Sequence, residues 1–249
     1  MFHFIYYRIT KSKEEYLMSE KVLQLFSGGK DSFLSTCKLA EQGYTVLLIT
    51  YKNGCSLCNQ NTKHEVERLI KKYGEKVHFL GCYPTIGIWR EFFLPFLNLK
   101  PSEIKEKYGE ITYSQFNCLT CRTTMYLYSI VFCNYLGIKK ISDGARPSQG
   151  FVVELPSMLE RYKKLLSKYE IELLLPVQYI DSDWTVKNEL LLRGIVPKTL
   201  EPQCLIGVPL PNGKKPDEDI IQGTLKFFDE EMYPKCYELL CTIEKVINI

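Results

Sequence analysis

The sequence predicts an α/β fold, in which helices cover both faces of a five-stranded, parallel, doubly wound sheet. Two observations carry this prediction. Short apolar runs alternate along the chain with segments whose apolar residues recur at helical spacing. The run at 44–51 is apolar almost throughout, which is typical of a strand that is buried on both faces. A sheet of this kind binds its ligands at the carboxyl ends of its strands.

The alternation places each element in turn. We expect strands at 21–26, 44–51, 76–80, 139–143 and 171–177. We expect helices at 32–40, 61–73, 89–97, 101–108, 121–136, 156–169 and 183–193. A chain of 249 residues accommodates one such domain, predicted at 21–210, with an N-terminal extension at 1–20 and a C-terminal helical tail at 211–249. The closing helix of the tail is expected at 222–249, with a break at Pro234.

The composition excludes several classes of protein. With 45% hydrophobic and 24% charged residues, the chain is typical of a soluble globular protein. It contains no apolar run of the roughly 20 residues that span a bilayer, and its start lacks the basic region and cleavage site of a signal peptide. We therefore expect a cytoplasmic protein without membrane contact, whose ten cysteines stay reduced. A net charge of +3 permits contact with tRNA but does not indicate a dedicated nucleic-acid module.

A glycine-rich loop follows the first predicted strand. Its six consecutive residues are Ser27, Gly28, Gly29, Lys30, Asp31 and Ser32. The two glycines let the backbone turn tightly, and the helix start behind them offers amides and a positive dipole end to phosphate. Lys30 adds a cation, and Asp31 is a candidate ligand for Mg²⁺ or an anchor for the loop. The glycine spacing is not that of a Walker A loop, and a plain capped turn is the alternative interpretation.

This loop resembles that of the PP-loop ATP pyrophosphatase superfamily. Members of the superfamily cleave ATP between its α- and β-phosphates and form an adenylated substrate. The resemblance covers most of the predicted sheet domain in outline and implies a Rossmann-like, HUP-type fold. It also implies that the six loop residues bind ATP with Mg²⁺, and that Lys30 and Asp31 take part in catalysis.

The same resemblance implies ATP contacts outside the loop. Thr50, at the end of the second predicted strand, is expected beside adenine. The segment 143–146 follows the fourth predicted strand, and Asp143 and Gly144 in it are expected near the phosphates. A plain strand-ending turn is the alternative role of Asp143 and Gly144.

Cysteines carry the second candidate site. Cys118 and Cys121 are separated by two residues, as are Cys55 and Cys58, and Cys204 follows the last helix of the predicted sheet domain. Two thiols at this spacing can bind one ion or cluster, and a helix start close to Cys118 and Cys121 is expected to lower the pKa of their thiols. The two pairs together could form a four-cysteine zinc site. A sulfur-carrying or redox role of Cys55 and Cys58 is a further alternative.

The spacing of Cys118, Cys121 and Cys204 resembles that of the sulfur-inserting members of the superfamily, notably tRNA 2-thiocytidine and 2-thiouridine synthetases. The resemblance implies that these three residues are catalytic and bind a [4Fe-4S] cluster, whose fourth iron stays open for sulfide. It further implies a nucleobase of tRNA as the substrate and a separate sulfur donor, and it leaves a homodimer open. Cys55 and Cys58 have no counterpart in this pattern, so their membership of the metal site and the choice between iron–sulfur and Zn²⁺ stay open.

Two other functions are compatible with the loop. An enzyme similar to 7-cyano-7-deazaguanine synthase uses such a loop to form an amide or nitrile on a small molecule, and it carries a structural zinc. The compact C-terminal cysteine cluster of those enzymes has no counterpart here, because Cys204, Cys236 and Cys241 are widely spaced. A nucleotide sensor without turnover is the third possibility, and the intact Asp31 and Ser32 argue against it.

Overall fold

The architecture is taken from a computed structural model, which describes residues 19–57, 60–197, 203–206 and 217–247. Cys58 and most of the predicted extension at 1–20 lie outside the described residues. Among the helices that are described, none is both long enough and apolar enough to cross a bilayer.

A parallel sheet of five strands forms the centre of the described part of the chain. The strands of the molecule are β1 (Lys21–Leu25), β2 (Thr45–Lys52), β3 (Ser56–Leu57), β4 (Val77–Pro84), β5 (Lys140–Ser142), β6 (Glu172–Leu174) and β7 (Gln203–Cys204). The order across the parallel sheet is β4-β2-β1-β5-β6, and every neighbouring pair in it runs parallel. The predicted fold class is therefore confirmed.

Helices pack on both faces of this sheet. They are α1 (Lys30–Glu41), α2 (Gln60–Tyr73), α3 (Ile86–Leu97), α4 (Pro101–Tyr108), α5 (Tyr113–Leu136), α6 (Pro156–Ser167), α7 (Asp183–Leu192), α8 (Glu218–Phe227) and α9 (Cys236–Ile247). Because side chains alternate along a strand, Val22 joins the core beneath α1, α2 and α7, whereas Leu23 joins the core beneath α3 to α6, α8 and α9. Helices thus cover the sheet on both faces, and ligands of such sheets bind at the carboxyl ends of the strands.

Two predicted strands differ from their observed bounds by three residues or more at one end. The third predicted strand extends beyond its expected end to Pro84, because its pairing with β2 continues as far as Lys52. The fifth predicted strand ends at Leu174, because the amide of Gln178 donates to the carbonyl of Leu175 at 3.2 Å and turns the chain.

The predicted start of the cysteine-bearing helix is wrong. The helix α5 begins at Tyr113 instead of residue 121, because Thr112 caps it: the amide of Gln115 donates to Thr112 Oγ1, and Gln115 Oε1 accepts from the amide of Thr112. Cys118 and Cys121 therefore lie within the helix and not ahead of its first turn.

The C-terminal tail packs into the larger of the two cores. It contains α8, a π-helical segment Phe228–Met232, a 3₁₀ turn Tyr233–Lys235 and α9. The break expected at Pro234 is confirmed, since Pro234 lies in the 3₁₀ turn. Phe227 of the tail packs edge-on against Phe96 of α3 at a ring-centroid distance of 4.0 Å. The predicted domain boundary at 210 stays a prediction.

Candidate functional site

The conformation of the loop at 27–32 is stabilised by hydrogen bonds of its own hydroxyls and by contact with helix α2. The hydroxyls of Ser27 and Ser32 are 3.2 Å apart, and the amide of Gly29 donates to Ser27 Oγ at 3.2 Å. Gly28 has a φ of +87°, and a Cβ atom there would lie 3.0 Å from Thr62 Cα. Only glycine combines this conformation with so close an approach, so the loop is shaped before any ligand arrives.

The loop leads directly into the first turn of α1. The N-cap residue Gly29 has no side chain with which to cap the first amides of the helix. Gly144, after β5, lies against this helix start: a Cβ atom on it would be 2.7 Å from the amide nitrogen of Ser32. Helix starts of this kind bind phosphate through their amides and dipole. The structure thus brings Gly144 against the loop, and a position of Asp143 and Gly144 near phosphates stays a prediction.

A buried arginine joins the loop to two other segments. Arg146 is 1% exposed, and its Nε donates to Asp31 Oδ1 at 2.9 Å, while its Nη2 donates to Asp183 Oδ1. Asp183 also pairs with Lys30 at 3.3 Å, and Gln149 Nε2 donates to Asp31 Oδ2 at 2.5 Å. Two carboxylates and two cations therefore meet at the carboxyl end of β1, which is the composition expected of a site for a nucleotide and its metal ion.

The pKa values of the two carboxyl groups in this cluster are shifted in opposite directions. Burial raises the pKa of Asp31, and the charges of Arg146 and Lys30 only partly offset it. Asp183 is less enclosed, so that the hydrogen bond from Arg146 and the charge of Lys30 outweigh burial and lower its pKa. Asp183 therefore holds its negative charge more firmly than Asp31 does.

A second buried charge cluster links the cysteine-bearing helix to this site. Arg122 of α5 donates to Asp143 Oδ2 through Nη1 and to Glu154 Oε1 through Nη2 at 2.9 Å. Glu154 Oε2 accepts the backbone amide of Arg146 at 3.1 Å. A continuous chain of hydrogen bonds thus runs from α5 through Glu154 to Arg146 and on to the loop. Asp143 lies in this chain.

One guanidinium shared by two buried carboxyl groups has a consequence for protonation. Burial raises the pKa of Glu154 from 4.5 to about 7, against the attraction of Arg122. Burial also disfavours the charge of Arg122, but Asp143 and Glu154 together raise its pKa far enough to keep it charged. Glu154 therefore exchanges a proton near neutral pH.

Thr50, the residue expected beside adenine, makes a buried hydrogen bond to the segment after β1. Thr50 lies at the carboxyl end of β2, but its buried hydroxyl donates to the carbonyl of Phe26 at 2.7 Å. The side chain thereby joins β2 to the end of β1. An adenine contact at Thr50 stays a prediction.

Four cysteines from three segments lie near one another. Cys118 and Cys121 lie on α5, Cys204 lies on β7, and Cys55 directly precedes β3. The antiparallel pairing of β3 with β7 brings Cys55 and Cys204 to the same place, and the amide of Leu205 donates to the carbonyl of Cys55 at 2.8 Å. Cys204 interacts electrostatically with each of the other three thiols. The three cysteines predicted as ligands are therefore brought together, and Cys55 joins them.

The expectation of thiols with a lowered pKa is wrong. Burial raises the pKa of Cys118 and of Cys121 to about 12 each, and the neighbouring Cys204 contributes in the same direction. Arg122 opposes the shift at both thiols. The reason is the position of both residues inside α5 rather than at its start. Without a bound cation, these thiols hold their protons.

By their chemistry, the four thiols suit a thiophilic metal or cluster. Thiolates are the ligands that zinc and iron–sulfur clusters prefer, and three is the number of cysteine ligands in the cluster that the resemblance implies. Within the ranges that the structure describes, no set of three or more His, Cys, Asp or Glu side chains is arranged to hold a single metal ion. Cys58 is outside those ranges.

Several residues of the site were not found by sequence reasoning. Asp183 follows the fifth strand of the sheet and starts a helix, which is a usable signal in retrospect. Arg122, Glu154 and Gln149 carry no such signal, since their partners are distant in sequence and only the packing of α5 and the 3₁₀ turns at 147–154 brings them together.

Comparison with solved structures identifies the fold. A crystal structure of a 4-thiouridine synthetase in complex with RNA and with bound ATP matches 90% of this chain and 53% of its own, with a TM-score of 0.55 and 13% sequence identity. At this identity the likeness establishes the fold alone, which this chain shares with that synthetase. This chain spans about half the length of that synthetase.

Two further solved structures are less similar. A predicted subunit of tRNA methyltransferase from Methanocaldococcus jannaschii matches 77% of this chain and 98% of its own, with a TM-score of 0.42 and 19% identity. The U34-tRNA thiolase NcsA from Methanococcus maripaludis, solved with its [4Fe-4S] cluster, matches 92% of this chain and 73% of its own, with a TM-score of 0.46 and 12% identity. These two TM-scores are too low to carry a structural argument. No family model and no curated protein matches the sequence.

Proposed function

We propose that this chain is an ATP-dependent sulfurtransferase of the PP-loop type, which inserts sulfur into a nucleobase of tRNA. The observation that carries the proposal is the hydrogen-bond chain between the two sites. Arg122, next to Cys121, is linked through Glu154 to Arg146, which holds Asp31 of the loop. Thiols built against a nucleotide loop suit a reaction in which activation by ATP and attack by sulfur occur at the same carbon of the substrate.

The proposed reaction has two steps. The carbonyl oxygen of a nucleobase attacks the α-phosphorus of ATP, and pyrophosphate leaves. Sulfide then attacks the activated carbon, and AMP leaves with the former carbonyl oxygen. The amides at the start of α1 and the cation of Lys30 stabilise the negative charge that develops on the phosphates. Mg²⁺ prefers carboxylate oxygens, and Asp31 and Asp183 are its candidate ligands.

Cys118, Cys121 and Cys204 are the proposed ligands of a [4Fe-4S] cluster. Such a cluster, when three cysteines bind it, offers its fourth iron to sulfide, much as a catalytic zinc keeps one position open. The thiols lose their protons when they bind metal, and the charge of Arg122 favours that loss at Cys118 and Cys121. A separate donor supplies the sulfide, and a cytoplasmic location keeps the thiols reduced.

The choice of tRNA as substrate has support from one comparison. The 4-thiouridine synthetase that shares this fold was solved with RNA and ATP. Because this chain spans about half of that synthetase, we propose tRNA as the class of substrate and no particular nucleotide within it.

The iron, sulfide and zinc contents of the full chain, purified without oxygen, test the proposal. We expect about four irons and about four acid-labile sulfides per chain. Cys118→Ser and Cys121→Ser should lose both, whereas Cys82→Ser, at an exposed cysteine on β4, should retain them. Stoichiometric zinc without sulfide in the wild-type protein contradicts the proposal.

The position of Cys55 favours one alternative function. Its thiol interacts with that of Cys204, so that a fourth thiol is available, and four thiolates are a usual ligand set of structural zinc. An enzyme similar to 7-cyano-7-deazaguanine synthase, which forms an amide or nitrile on a small molecule, fits such a site. This alternative predicts bound zinc that is lost in Cys55→Ser, whereas the iron–sulfur proposal predicts that Cys55→Ser retains its cluster.

A further inference from the structure

Two buried asparagines direct their amide groups at the cysteine site. Asn53 and Asn117 are 2% and 1% exposed. The Nδ2 group of Asn53 donates to the sulfur of Cys121 at 2.9 Å, and the Nδ2 group of Asn117 donates to the sulfur of Cys204 at 3.8 Å. Each amide therefore reaches a different proposed ligand of the cluster.

The orientation of both amides is fixed by partners that can only donate. The backbone amide of Cys55 donates to Asn53 Oδ1 at 2.9 Å, and the indole Nε1 of Trp89 donates to Asn117 Oδ1 at 3.2 Å. Neither a backbone amide nor an indole N–H can accept a hydrogen bond. The carboxamide oxygens must therefore face these donors, so that the NH₂ groups must face the sulfurs.

An NH₂ group directed at sulfur favours a thiolate or a metal-bound sulfur over a protonated thiol. A thiolate or a metal-bound sulfur accepts hydrogen bonds, whereas a thiol must also place its own proton. Both amides are neutral, so they stabilise negative charge on sulfur without adding a second buried cation beside Arg122. Hydrogen bonds inside a protein act more strongly than in water because the local dielectric constant is low.

We infer that Asn53 and Asn117 are positioning residues, which donate N–H···S bonds to the cysteine ligands of the proposed cluster and thereby raise its reduction potential. Reduction adds negative charge to a cluster and its sulfurs, and donors to those sulfurs stabilise the reduced form. The shorter contact belongs to Asn53, so its contribution is the larger one. This inference rests on the proposed function.

The test compares reduction potentials in the intact protein. Full-length wild-type protein and the Asn53→Ala, Asn117→Ala and Asn134→Ala variants are purified without oxygen and titrated spectroelectrochemically. Asn134 lies exposed on the same helix as Asn117, so it serves as the matched control. We expect a lower potential in both site variants, with the larger shift in Asn53→Ala, and an unchanged potential in Asn134→Ala.

Iron loss to a chelator provides a second readout. We expect it to be faster by roughly tenfold or more in Asn53→Ala than in wild type, since groups that orient metal ligands commonly affect affinity by that amount. If Asn53→Ala folds poorly, Asn117→Ala, which removes the other donor without adding a charge, carries the test and should show the same direction of change.

The outcomes separate the inference from the proposed function. A wild-type cluster whose potential and iron retention are the same in both site variants overturns the inference alone. Wild-type protein without iron and sulfide overturns the proposed function, and the inference with it.

Discussion

The nucleotide loop and the cysteine site lie at the same end of the sheet but are built in different ways. The loop consists of six consecutive residues that run from just after β1 into the first turn of α1, and charged partners fix it: Arg146 holds Asp31, and Lys30 pairs with Asp183. The cysteine site is assembled from three separate segments, and the sulfurs of Cys121 and Cys204 accept hydrogen bonds from neutral amides. One site is thus defined by local sequence and charge, and the other by tertiary packing and soft ligands.

This difference predicts whether a substitution at one site also affects the other. A change in the loop should remove charge or backbone geometry that the proposed ATP site needs, without disturbing the thiols. A change at the cysteines should remove proposed metal ligands but leave the loop and its charge cluster in place. The chain of hydrogen bonds through Arg122 and Glu154 connects the two sites, so changes there should affect both.

The largest expected effect is a loss of AMP formation on substitution of Asp31, without loss of iron or sulfide. Asp31→Asn removes the carboxylate that Arg146 and Gln149 position, so we expect the rate of AMP formation to fall by a factor on the order of 10² to 10³ while the iron and sulfide contents stay unchanged. Release of AMP and pyrophosphate, measured with labelled ATP, checks the first part, and metal analysis checks the second.

A matched control for this change lies at another arginine–aspartate pair. Asp229→Asn breaks the pair with Arg161, which joins α6 to the π-helical segment, and should leave AMP formation unchanged. Equal loss of activity in both variants would mean that Asp31 acts through general stability and not through the site.

The next effect concerns the connection between the sites. Arg122→Gln leaves Asp143 and Glu154 as two buried carboxyl groups without their guanidinium, so we expect a loss of about 3–5 kcal/mol in the free energy of unfolding. Urea unfolding of metal-free protein at slightly alkaline pH measures it. Arg161→Gln, at a more exposed ion pair, should cost no more than about 1 kcal/mol.

The pH dependence of stability should reveal Glu154. The folded protein keeps the proton of Glu154 up to about pH 7, whereas the unfolded chain releases it near pH 4.5. The folded state thus binds more protons between these values, and its stability should fall as the pH rises through this window, by about 3 kcal/mol from this group. Urea unfolding across the window should show this slope in wild type and a smaller slope in Glu154→Gln. Identical slopes would contradict the raised pKa.

The smallest effect tests the close approach of β5 to the loop. Gly144→Ala places a Cβ atom 2.7 Å from the Ser32 amide nitrogen, so that backbone must move, and we expect a loss of about 1–3 kcal/mol in stability together with weaker ATP binding. Gly87→Ala is the control, because a Cβ atom there meets nothing within 4 Å. Calorimetric titration with ATP and urea unfolding distinguish the two variants.

The parts of the molecule that sequence predicted are those encoded locally. The parallel sheet follows from apolar runs such as β2, buried along nearly its whole length, and the loop follows from six consecutive residues, among which Gly28 is required by its positive φ and its close approach to Thr62. The break at Pro234 is equally local, since proline cannot continue a helix. Each of these features depends on neighbours in the chain, so each leaves a readable pattern.

The parts that sequence did not predict depend on distant segments. The β3–β7 ribbon has two residues in each strand, too few for any periodic pattern, yet it brings Cys55 to Cys204. The start of α5 was misplaced because its capping residues, Thr112 and Gln115, lie before the apolar run that suggested the helix. Arg122 and Glu154 carry charges that the sequence alone would place in solvent, and only packing buries Glu154 and partly encloses Arg122.

The most direct test of the central claim measures two products at once. Wild-type protein with its metal content intact is incubated with ATP, Mg²⁺, sulfide and unmodified tRNA, and both AMP and thionucleosides from digested tRNA are quantified. The account predicts equal amounts of AMP and thionucleoside in wild type, and no thionucleoside in Cys118→Ser. Formation of AMP that depends on ammonia and a small-molecule acceptor, with no thionucleoside under any condition, would contradict it.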